Sequence, residues 1–527
     1  MTTLDGLLAQ QARDRPGAVA LALPRGTGFA TTTFAELDAR VDAVAAGLQH
    51  AGLRPGMRAA LLVPPTRSFF VLAFALLRLR AVPVLVDPGI GRDRVQDCLA
   101  EAAPQAFLGI GRAHLARRVL GWAPSARLLV GVGVPVPGGT SLRRVEEAGR
   151  WRQPFASPER PGGEPAAIMF TSGSTGAPKG VEHGETQLLA QADLVQRLFD
   201  LGPGDVSLAT FPLFALFGPV LGMTTVVPRM DATRPASVRP ARVVGAANRF
   251  GATVLFGSPA LLDTVSRAGG SMPTVRQVIS AGAPVPRRVQ RRTLDMLQPD
   301  AQVHTPYGAT EALPVATIGS DELLGLPEAG ICVGRPVPGV DVALMTVTDD
   351  VVSELTPDLL VAPGEVGEVV VRGPVVSPRY ADRPAATAAA KLKWEGRLAH
   401  RMGDLASLDD QGRLWFAGRK AHVVHSAQGP LHSVPCEEVF NLHPGVRRTA
   451  LVGVGPAGRS VPVLCVELEP GVEPSPELTA ELLARGAADP RTAAVTRVLY
   501  PPPFPVDVRH NSKIDRPALG RWAEGRL

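Results

Sequence analysis

The chain has 527 residues, 45% hydrophobic and 20% charged, which are the proportions of a globular protein with room for two or three packed units. Its net charge is +6, but the basic residues are dispersed rather than gathered in a stripe or tail, so nucleic-acid binding is not favoured. Four widely spaced cysteines without a CxxC pair indicate reduced, buried thiols, and the N-terminus lacks the pattern of a signal peptide. We therefore expect a cytoplasmic protein.

Short apolar runs alternate with amphipathic stretches through the first 330 residues. The runs at 59–63, 82–86, 126–130, 167–170, 253–256 and 277–280 predict buried strands, and the stretches at 34–50, 68–79, 240–250 and 260–268 predict helices. The longest apolar run, residues 69–86, is interrupted by Arg78, Arg80 and Pro83, so it predicts a helix and a strand rather than a membrane span. This alternation predicts stacked, parallel α/β sheets.

The pattern changes after residue 330. Residues 340–347 and 367–372 predict strands without intervening helices, which is typical of a small antiparallel or β-barrel-like subdomain. A boundary is expected at Gly418–Arg419–Lys420, after which strands at 449–454 and 462–468 and a helix at 475–484 suffice for an α+β unit. The prediction is an α/β protein with an N-terminal domain of residues 1–418 and a small C-terminal α+β domain of residues 419–527.

Lysine is rare in this sequence and therefore informative where it occurs. The basic residues are otherwise arginine, and the two are not interchangeable at sites that need a compact cation. Lysine occurs at five positions: Lys179, Lys391, Lys393, Lys420 and Lys513.

The strongest motif follows the predicted strand at 167–170 and ends in one of these lysines. It is a loop of small, hydroxyl-bearing and glycine residues: Thr171, Ser172, Gly173, Ser174, Thr175, Gly176, Ala177, Pro178, Lys179 and Gly180. Backbone N–H groups can approach phosphate oxygens closely in such a loop, hydroxyls add donors, and Lys179 adds a cation. Because Gly180 stands where the P-loop of NTPases needs Ser or Thr, the loop predicts phosphate binding of a different kind.

This loop resembles the phosphate loop of the acyl-adenylate-forming superfamily of AMP-dependent synthetases and ligases. The superfamily includes acyl-CoA synthetases, nonribosomal peptide adenylation domains and luciferases. Further segments resemble its other motifs in the same order: Ser280-Ala281-Gly282-Ala283-Pro284, Tyr307-Gly308-Ala309-Thr310-Glu311, Gly364-Glu365-Val366-Gly367-Glu368, Gly403-Asp404-Leu405, Gly418-Arg419 and Asn511-Ser512-Lys513-Ile514.

The resemblance implies a role for each of these segments, with ATP and Mg²⁺ as cofactors. Residues 364–368 match a structural motif of the superfamily. The backbone of residues 281–284 would line the adenine, Tyr307 of the Tyr307–Gly308 pair would stack on it, and Asp404 and Arg419 would hold the ribose. Thr310 would contact the α-phosphate, and Glu311 and Thr171 would hold Mg²⁺. Lys179 and Lys513 would be catalytic, with Lys513 delivered by a mobile C-terminal lid domain.

The substrate segment departs from the acyl-CoA synthetase pattern. The resemblance places Phe211, Phe214, Ala215, Phe217, Gly218 and Ala309 at the acyl pocket. However, Ala215 stands where acyl-CoA synthetases usually carry His, and Ala421 stands at the usual hinge pivot. Residues 426–435 also lack the usual Gly-Gly run. These departures disfavour transfer of the acyl group to CoA.

Residues 86–91, 256–263, 304–312 and 504–511 resemble the β-lactone synthetase branch, the enzymes of long-chain olefin biosynthesis. This resemblance implies adenylation of a long-chain 2-alkyl-3-hydroxyalkanoic acid, followed by attack of its own β-hydroxyl to give a β-lactone, AMP and pyrophosphate. It also implies an assembly with a thiolase, a reductase and a lactone decarboxylase as partners.

Other interpretations remain open at this point. One is a long-chain fatty acyl-CoA or fatty acyl-AMP ligase, and another is a catalytically inactive fold that acts as a nucleotide-binding scaffold. The base for lactone closure is not evident from the sequence, where His304 is either a candidate or a structural histidine.

Overall fold

The structure is a computed structural model. It describes residues 3–86, 90–152, 155–171, 178–328, 330–456, 458–506 and 514–527, without the side chains of Arg92 and Thr171. No helix in these ranges is long and apolar enough to cross a membrane.

One layer is a seven-stranded sheet, which is parallel except for the β1–β2 hairpin. Its strand order is β14-β13-β12-β10-β11-β1-β2, with β1 (Val19–Arg25), β2 (Gly28–Thr33), β10 (Val206–Ala209), β11 (Thr224–Val226), β12 (Val254–Phe256), β13 (Gln277–Ile279) and β14 (Gln302–His304).

The second layer is an eight-stranded sheet, parallel from β7 to β8 and antiparallel at the β9 and β20 edge. Its order is β20-β9-β8-β4-β3-β5-β6-β7, with β3 (Arg58–Leu62), β4 (Val82–Val86), β5 (Ala106–Ile110), β6 (Leu128–Val132), β7 (Thr140–Ser141), β8 (Ala167–Thr171), β9 (Lys179–His183) and β20 (Arg379–Tyr380).

Helices cover and separate these sheets. They are α1 (Leu4–Asp14), α2 (Phe34–His50), α3 (Arg67–Arg78), α4 (Arg92–Ala102), α5 (Gly111–Leu120), α6 (Leu142–Arg150), α7 (Glu185–Leu198), α8 (Pro212–Ala215), α9 (Phe217–Val220), α10 (Pro240–Phe250), α11 (Pro259–Ala268), α12 (Arg287–Leu294) and α13 (Ser320–Gly325). The prediction of a helix and a strand in residues 69–86 is confirmed, because α3 and β4 occupy this run. Helix α3 is apolar on every side because it lies in the core between the two sheets.

The third sheet is the strand-rich unit predicted after residue 330. Its order is β15-β16-β17-β23-β22-β19-β18, with β21 beside β22: β15 (Tyr307–Ala309), β16 (Ala312–Thr317), β17 (Ile331–Pro336), β18 (Asp341–Met345), β19 (Gly367–Arg372), β21 (Lys391–Trp394), β22 (Arg397–Leu408) and β23 (Leu414–Arg419). Helix α14 (Pro384–Ala390) leads into β21.

This third sheet is open and does not form a closed barrel. Closure requires the two edge strands to pair, but β15 has three residues and β18 instead bridges the segment at Leu360. The small β unit of the prediction is therefore present, while its likeness to a barrel is not.

The residues after β23 form the predicted α+β unit, with two apolar clusters of its own. Its elements are β24 (Val424–Ser426), β25 (Gly429–Leu431), α15 (Ser433–Asn441), β26 (Val446–Val454), β27 (Val461–Leu468), α16 (Pro476–Ala487), β28 (Arg497–Leu499) and α17 (Arg516–Glu524). This unit follows an α/β region that is more than three times as long. The arrangement confirms the predicted fold class.

Candidate active site

A cavity of about 1490 Å³ lies between the sheets and the unit after β23. It gathers residues that are far apart in sequence, because the segments after β13 and β14 and the paired strands β22 and β23 all contribute to its wall. The predicted residues on its wall are Lys179, Ala281, Gly282, Ala283, Pro284, Tyr307, Gly308, Ala309, Thr310, Glu311, Asp404 and Arg419.

Glycine is required at position 308. A Cβ atom there would lie 2.6 Å from the carbonyl oxygen of Ala312, closer than real contacts allow. The absence of a side chain lets β15 and β16 approach each other beside the cavity, which fixes the backbone between Tyr307 and Glu311.

A buried carboxylate lies on one side of the cavity. The hydroxyl of Tyr307 donates a hydrogen bond of 2.8 Å to Oδ2 of Asp404, and Nε of Arg419 lies 2.8 Å from Oδ1. The pairing of β22 with β23 places Asp404 opposite Arg419. Burial and the charge of Asp404 raise the pKa of Tyr307, while Asp404 raises the pKa of Arg419. The site thus holds a negative charge that can accept hydrogen bonds from a diol.

A second carboxylate, Glu311, is held by Tyr380. The Tyr380 hydroxyl donates a hydrogen bond of 2.7 Å to Oε1 of Glu311, and burial raises the pKa of this hydroxyl, so it stays protonated. Nζ of Lys179 lies 4.9 Å from the centroid of the Tyr380 ring. Tyr380 lies in none of the sequence motifs and was not predicted, although tyrosine occurs only three times in the chain.

An apolar wall faces these charged groups. Phe211, Phe214 and Phe217 line the cavity, and the ring of Phe214 stacks on Phe256 with a centroid distance of 3.9 Å. Ala215 and Gly218 face away from the cavity. Ala215 is buried, and a Cβ atom on Gly218 would lie 1.9 Å from Oγ1 of Thr225. The structure therefore brings together three of the five residues predicted in this segment.

Several predicted residues lie outside the described part of the chain. They are the loop residues Ser172, Gly173, Ser174, Thr175 and Gly176, and the C-terminal Lys513. The backbone of Thr171 ends β8 opposite Lys179, and Lys179 lines the cavity.

A cluster of buried basic residues borders the site and was also missed. His183 ends β9 and His400 lies in β22, and both line the cavity. Lys391 donates a hydrogen bond of 3.2 Å to Oγ of Ser377, whose backbone N–H donates to the carbonyl oxygen of Glu311. Burial lowers the pKa of Lys391 to about 7 and that of His183 to about 4. The rarity of lysine was the available signal for Lys391.

His304, the sequence candidate for a base, is held by a partner. Its Nε2 lies 2.7 Å from Oε1 of Gln277, and the residue does not line the cavity. Burial lowers its pKa. These contacts favour the structural interpretation of this histidine.

The family model described as "AMP-binding enzyme" matches residues 8–381, and the chain belongs to this family. It is an adenylate-forming enzyme. Two relatives extend over nearly the whole chain. An "Olefin beta-lactone synthetase" of Xanthomonas campestris pv. campestris is 47% identical over 99% of this chain and 98% of its own length. A second protein of that name, from Stenotrophomonas maltophilia, is 48% identical over the same shares.

Solved structures share the fold. The amide bond synthetase McbA of Marinactinospora thermotolerans superposes with a TM-score of 0.81 at 24% identity, over 99% of this chain and 100% of that protein. The anthranilate CoA ligase AuaEII superposes with a TM-score of 0.82 at 19% identity, over 100% and 98%.

Proposed function

We propose that this protein uses ATP to adenylate a long-chain 2-alkyl-3-hydroxyalkanoic acid and then closes the β-hydroxyl onto the activated carbonyl to release a β-lactone, AMP and pyrophosphate. The single observation that carries the proposal is the 47–48% identity, over almost the full length, to two proteins named olefin beta-lactone synthetase. The cavity supports it because charged and apolar walls meet in one space.

Each wall has a task in this reaction. Asp404 would accept hydrogen bonds from the ribose hydroxyls, with Tyr307 and Arg419 fixing its orientation. Lys179 would stabilise the negative charge that develops as the carboxylate attacks the α-phosphorus, and Lys513 would complete this stabilisation. The Phe211–Phe217 wall would hold alkyl chains away from water.

Mg²⁺ belongs to this proposal as well. The Glu311 carboxylate lines the cavity and offers the hard oxygen that Mg²⁺ prefers, so the donor chemistry fits. Glu311, together with Thr171, would hold the ion, which would neutralise phosphate charge when bound.

The unit after β23 is proposed to act as a mobile lid that carries Lys513. It forms part of the cavity wall through Glu437 and Arg516, and Ile514 beside Lys513 also lines the cavity. We further infer an assembly with the enzymes that make the hydroxy acid and consume the lactone.

The test is to incubate the protein with a synthetic 2-alkyl-3-hydroxy acid, ATP and Mg²⁺, with and without CoA, and to identify the products by mass spectrometry and NMR. A β-lactone with AMP and pyrophosphate, formed without CoA, is expected. An acyl-CoA, or an acyl-AMP that persists until a thiol is added, would contradict the proposal. The Lys513→Ala variant should lose most adenylation, and an unchanged rate would refute the role given to Lys513.

A further inference from the structure

His183 is a buried polar residue without a partner. Its side chain is about 1% exposed and faces the cavity, yet neither ring nitrogen has a hydrogen-bond partner among the described residues. A buried polar group of this kind is normally paired, since leaving it unpaired costs free energy. A molecule that enters the cavity with a hydroxyl group in the right place would supply the missing partner.

The strand that carries His183 leads inward from the phosphate end of the cavity. Side chains alternate along a strand, so Lys179, Val181 and His183 point to the same face of β9. Val181 pairs with Tyr380, whose hydroxyl holds Glu311. His183 therefore lies ~7 Å beyond that pair and ~13 Å from Lys179 along the strand.

On the cavity side, the residues around His183 are apolar, like an acyl-binding surface. Ala167 lies opposite His183 on β8, and Met169 and Leu188 line the cavity beside it. The cavity continues from this surface to Phe217 of the apolar wall. An acyl-AMP whose chain lies between this surface and Phe217 would bring the first carbons of the chain, rather than the phosphate, toward the imidazole.

We propose that His183 binds the β-hydroxyl of the substrate and accepts its proton during lactone closure. This inference rests on the proposed function. The hydroxyl proton moves to the unprotonated ring nitrogen, and the oxygen bonds to the acyl carbonyl carbon. The bond from that carbon to the phosphate oxygen breaks, AMP leaves with the electron pair, and the imidazolium returns its proton to solvent.

The electrostatics of the site keep the imidazole of His183 uncharged. Burial lowers the pKa of His183, and the neighbouring charge of Lys391 lowers it further, so the imidazole is neutral at physiological pH. A neutral imidazole has one nitrogen that donates and one that accepts. It can therefore accept the hydroxyl proton without first losing one of its own.

The test uses His183→Gln and His183→Asn and measures the two steps separately. Pyrophosphate release in a single turnover reports adenylation, NMR reports the β-lactone, and hydroxylamine traps any acyl-AMP that accumulates. We expect adenylation to persist while closure slows by ~100-fold or more, the scale of a general base. His114→Gln is the matched control, because His114 is buried and neutral but bonded to the carbonyl oxygen of Val130.

A 3-deoxy acid, which lacks the β-hydroxyl, separates this role from a structural one. The wild type should have a KM for the hydroxy acid ~10-fold lower than for the deoxy acid, and the His183 variants should lose this preference. Closure at the wild-type rate in the variants, or equal loss of adenylation on both acids, would overturn the inference. A wild type that adenylates the hydroxy acid but forms no lactone would instead overturn the proposed function.

Discussion

Among single residues, the buried ion pair of Glu368 and Arg401 has the clearest structural role. Nη2 of Arg401 lies 2.7 Å from Oε2 of Glu368, and both side chains are at most 4% exposed. The Arg401 guanidinium also donates to the carbonyl oxygens of Thr348 and Asp350, which ties the loop after β18 to β19 and β22. Glu368 lies in the segment that the sequence resemblance assigned to structure rather than to catalysis.

Replacement of Glu368 by Leu should lower the free energy of unfolding by about 3–5 kcal/mol, because it leaves the Arg401 charge buried without compensation. Urea unfolding followed by circular dichroism measures this change. The exposed pair of Arg143 and Glu147 supplies the control, since Glu147→Leu should cost less than about 1 kcal/mol. Equal losses in the two variants would contradict the role of burial.

With ATP bound as proposed, Asp404→Asn should raise the KM for ATP by ~10–100-fold, the value of hydrogen bonds to a charged group. The reason is that Asp404 is the carboxylate that Tyr307 and Arg419 hold in the cavity. Initial rates of pyrophosphate release at varied ATP give this constant. An unchanged KM with a lowered kcat would place Asp404 in the chemical step instead.

Lys391 should make stability depend on pH. Burial lowers its pKa from 10.5 to about 7 in the folded protein, so between these values the unfolded chain binds more protons. Stability from this group therefore rises as pH increases from 7 toward 10 and is at its minimum below 7. Lys391→Met should thus stabilise the protein most at pH 6.5 and progressively less at pH 8 and 9.5 in urea unfolding. A difference independent of pH would show that Lys391 is not desolvated.

At the scale of elements, α2 and α6 pack unusually closely. A Cβ atom on Gly149 would lie 1.7 Å from the carbonyl oxygen of Ala43, and one on Gly47 would lie 1.9 Å from that of Val145. These two glycines therefore permit a backbone contact that any larger residue would prevent. The contact places α2 against the core beneath the second sheet.

Gly149→Ala should accordingly destabilise the protein by about 1–3 kcal/mol, because the two helices must separate. Gly245→Ala is the matched control, since Gly245 also lies in a helix but has open space around it. That substitution should stabilise by up to about 1 kcal/mol. Thermal unfolding measures the stability of both variants. A stabilised Gly149→Ala variant would contradict the close packing.

At the scale of the whole molecule, charged contacts hold the unit after β23 against the α/β region. Glu469 at the end of β27 lies 3.1 Å from Arg288 and 3.7 Å from Arg267. Arg288 also donates to the carbonyl oxygen of Arg447. Solvent-exposed pairs of this kind are weak, which suits the mobile lid proposed above.

Glu469→Gln should therefore increase hydrogen exchange in residues 285–292 by up to ~5-fold, because it removes a contact worth at most about 1 kcal/mol. Mass spectrometry of peptides that contain α12 measures the change in exchange. Glu467→Gln is the control: Glu467 pairs with Arg447 and Arg448 inside its own unit, so α12 should not respond. An equal response to both variants would argue against the interface.

The sequence by itself determined the order of the motifs and the class of the fold. Local periodicity gave the bounds of α2 and β4, because one buried face of a helix, or a fully buried strand, leaves a direct pattern in the residues. The phosphate loop and the Tyr307–Glu311 segment were recognisable because their chemistry is concentrated in a few consecutive residues.

Only the tertiary structure decided which distant residues meet. Tyr380, Lys391 and His183 carry no local motif, and they become part of the site because β20 pairs with β9 and β21 pairs with β22. The same holds for Ala215 and Gly218, which lie beside cavity residues in sequence but face away from the cavity. The physical reason is that burial, pairing and pKa shifts depend on contacts across strands, which a linear pattern does not specify.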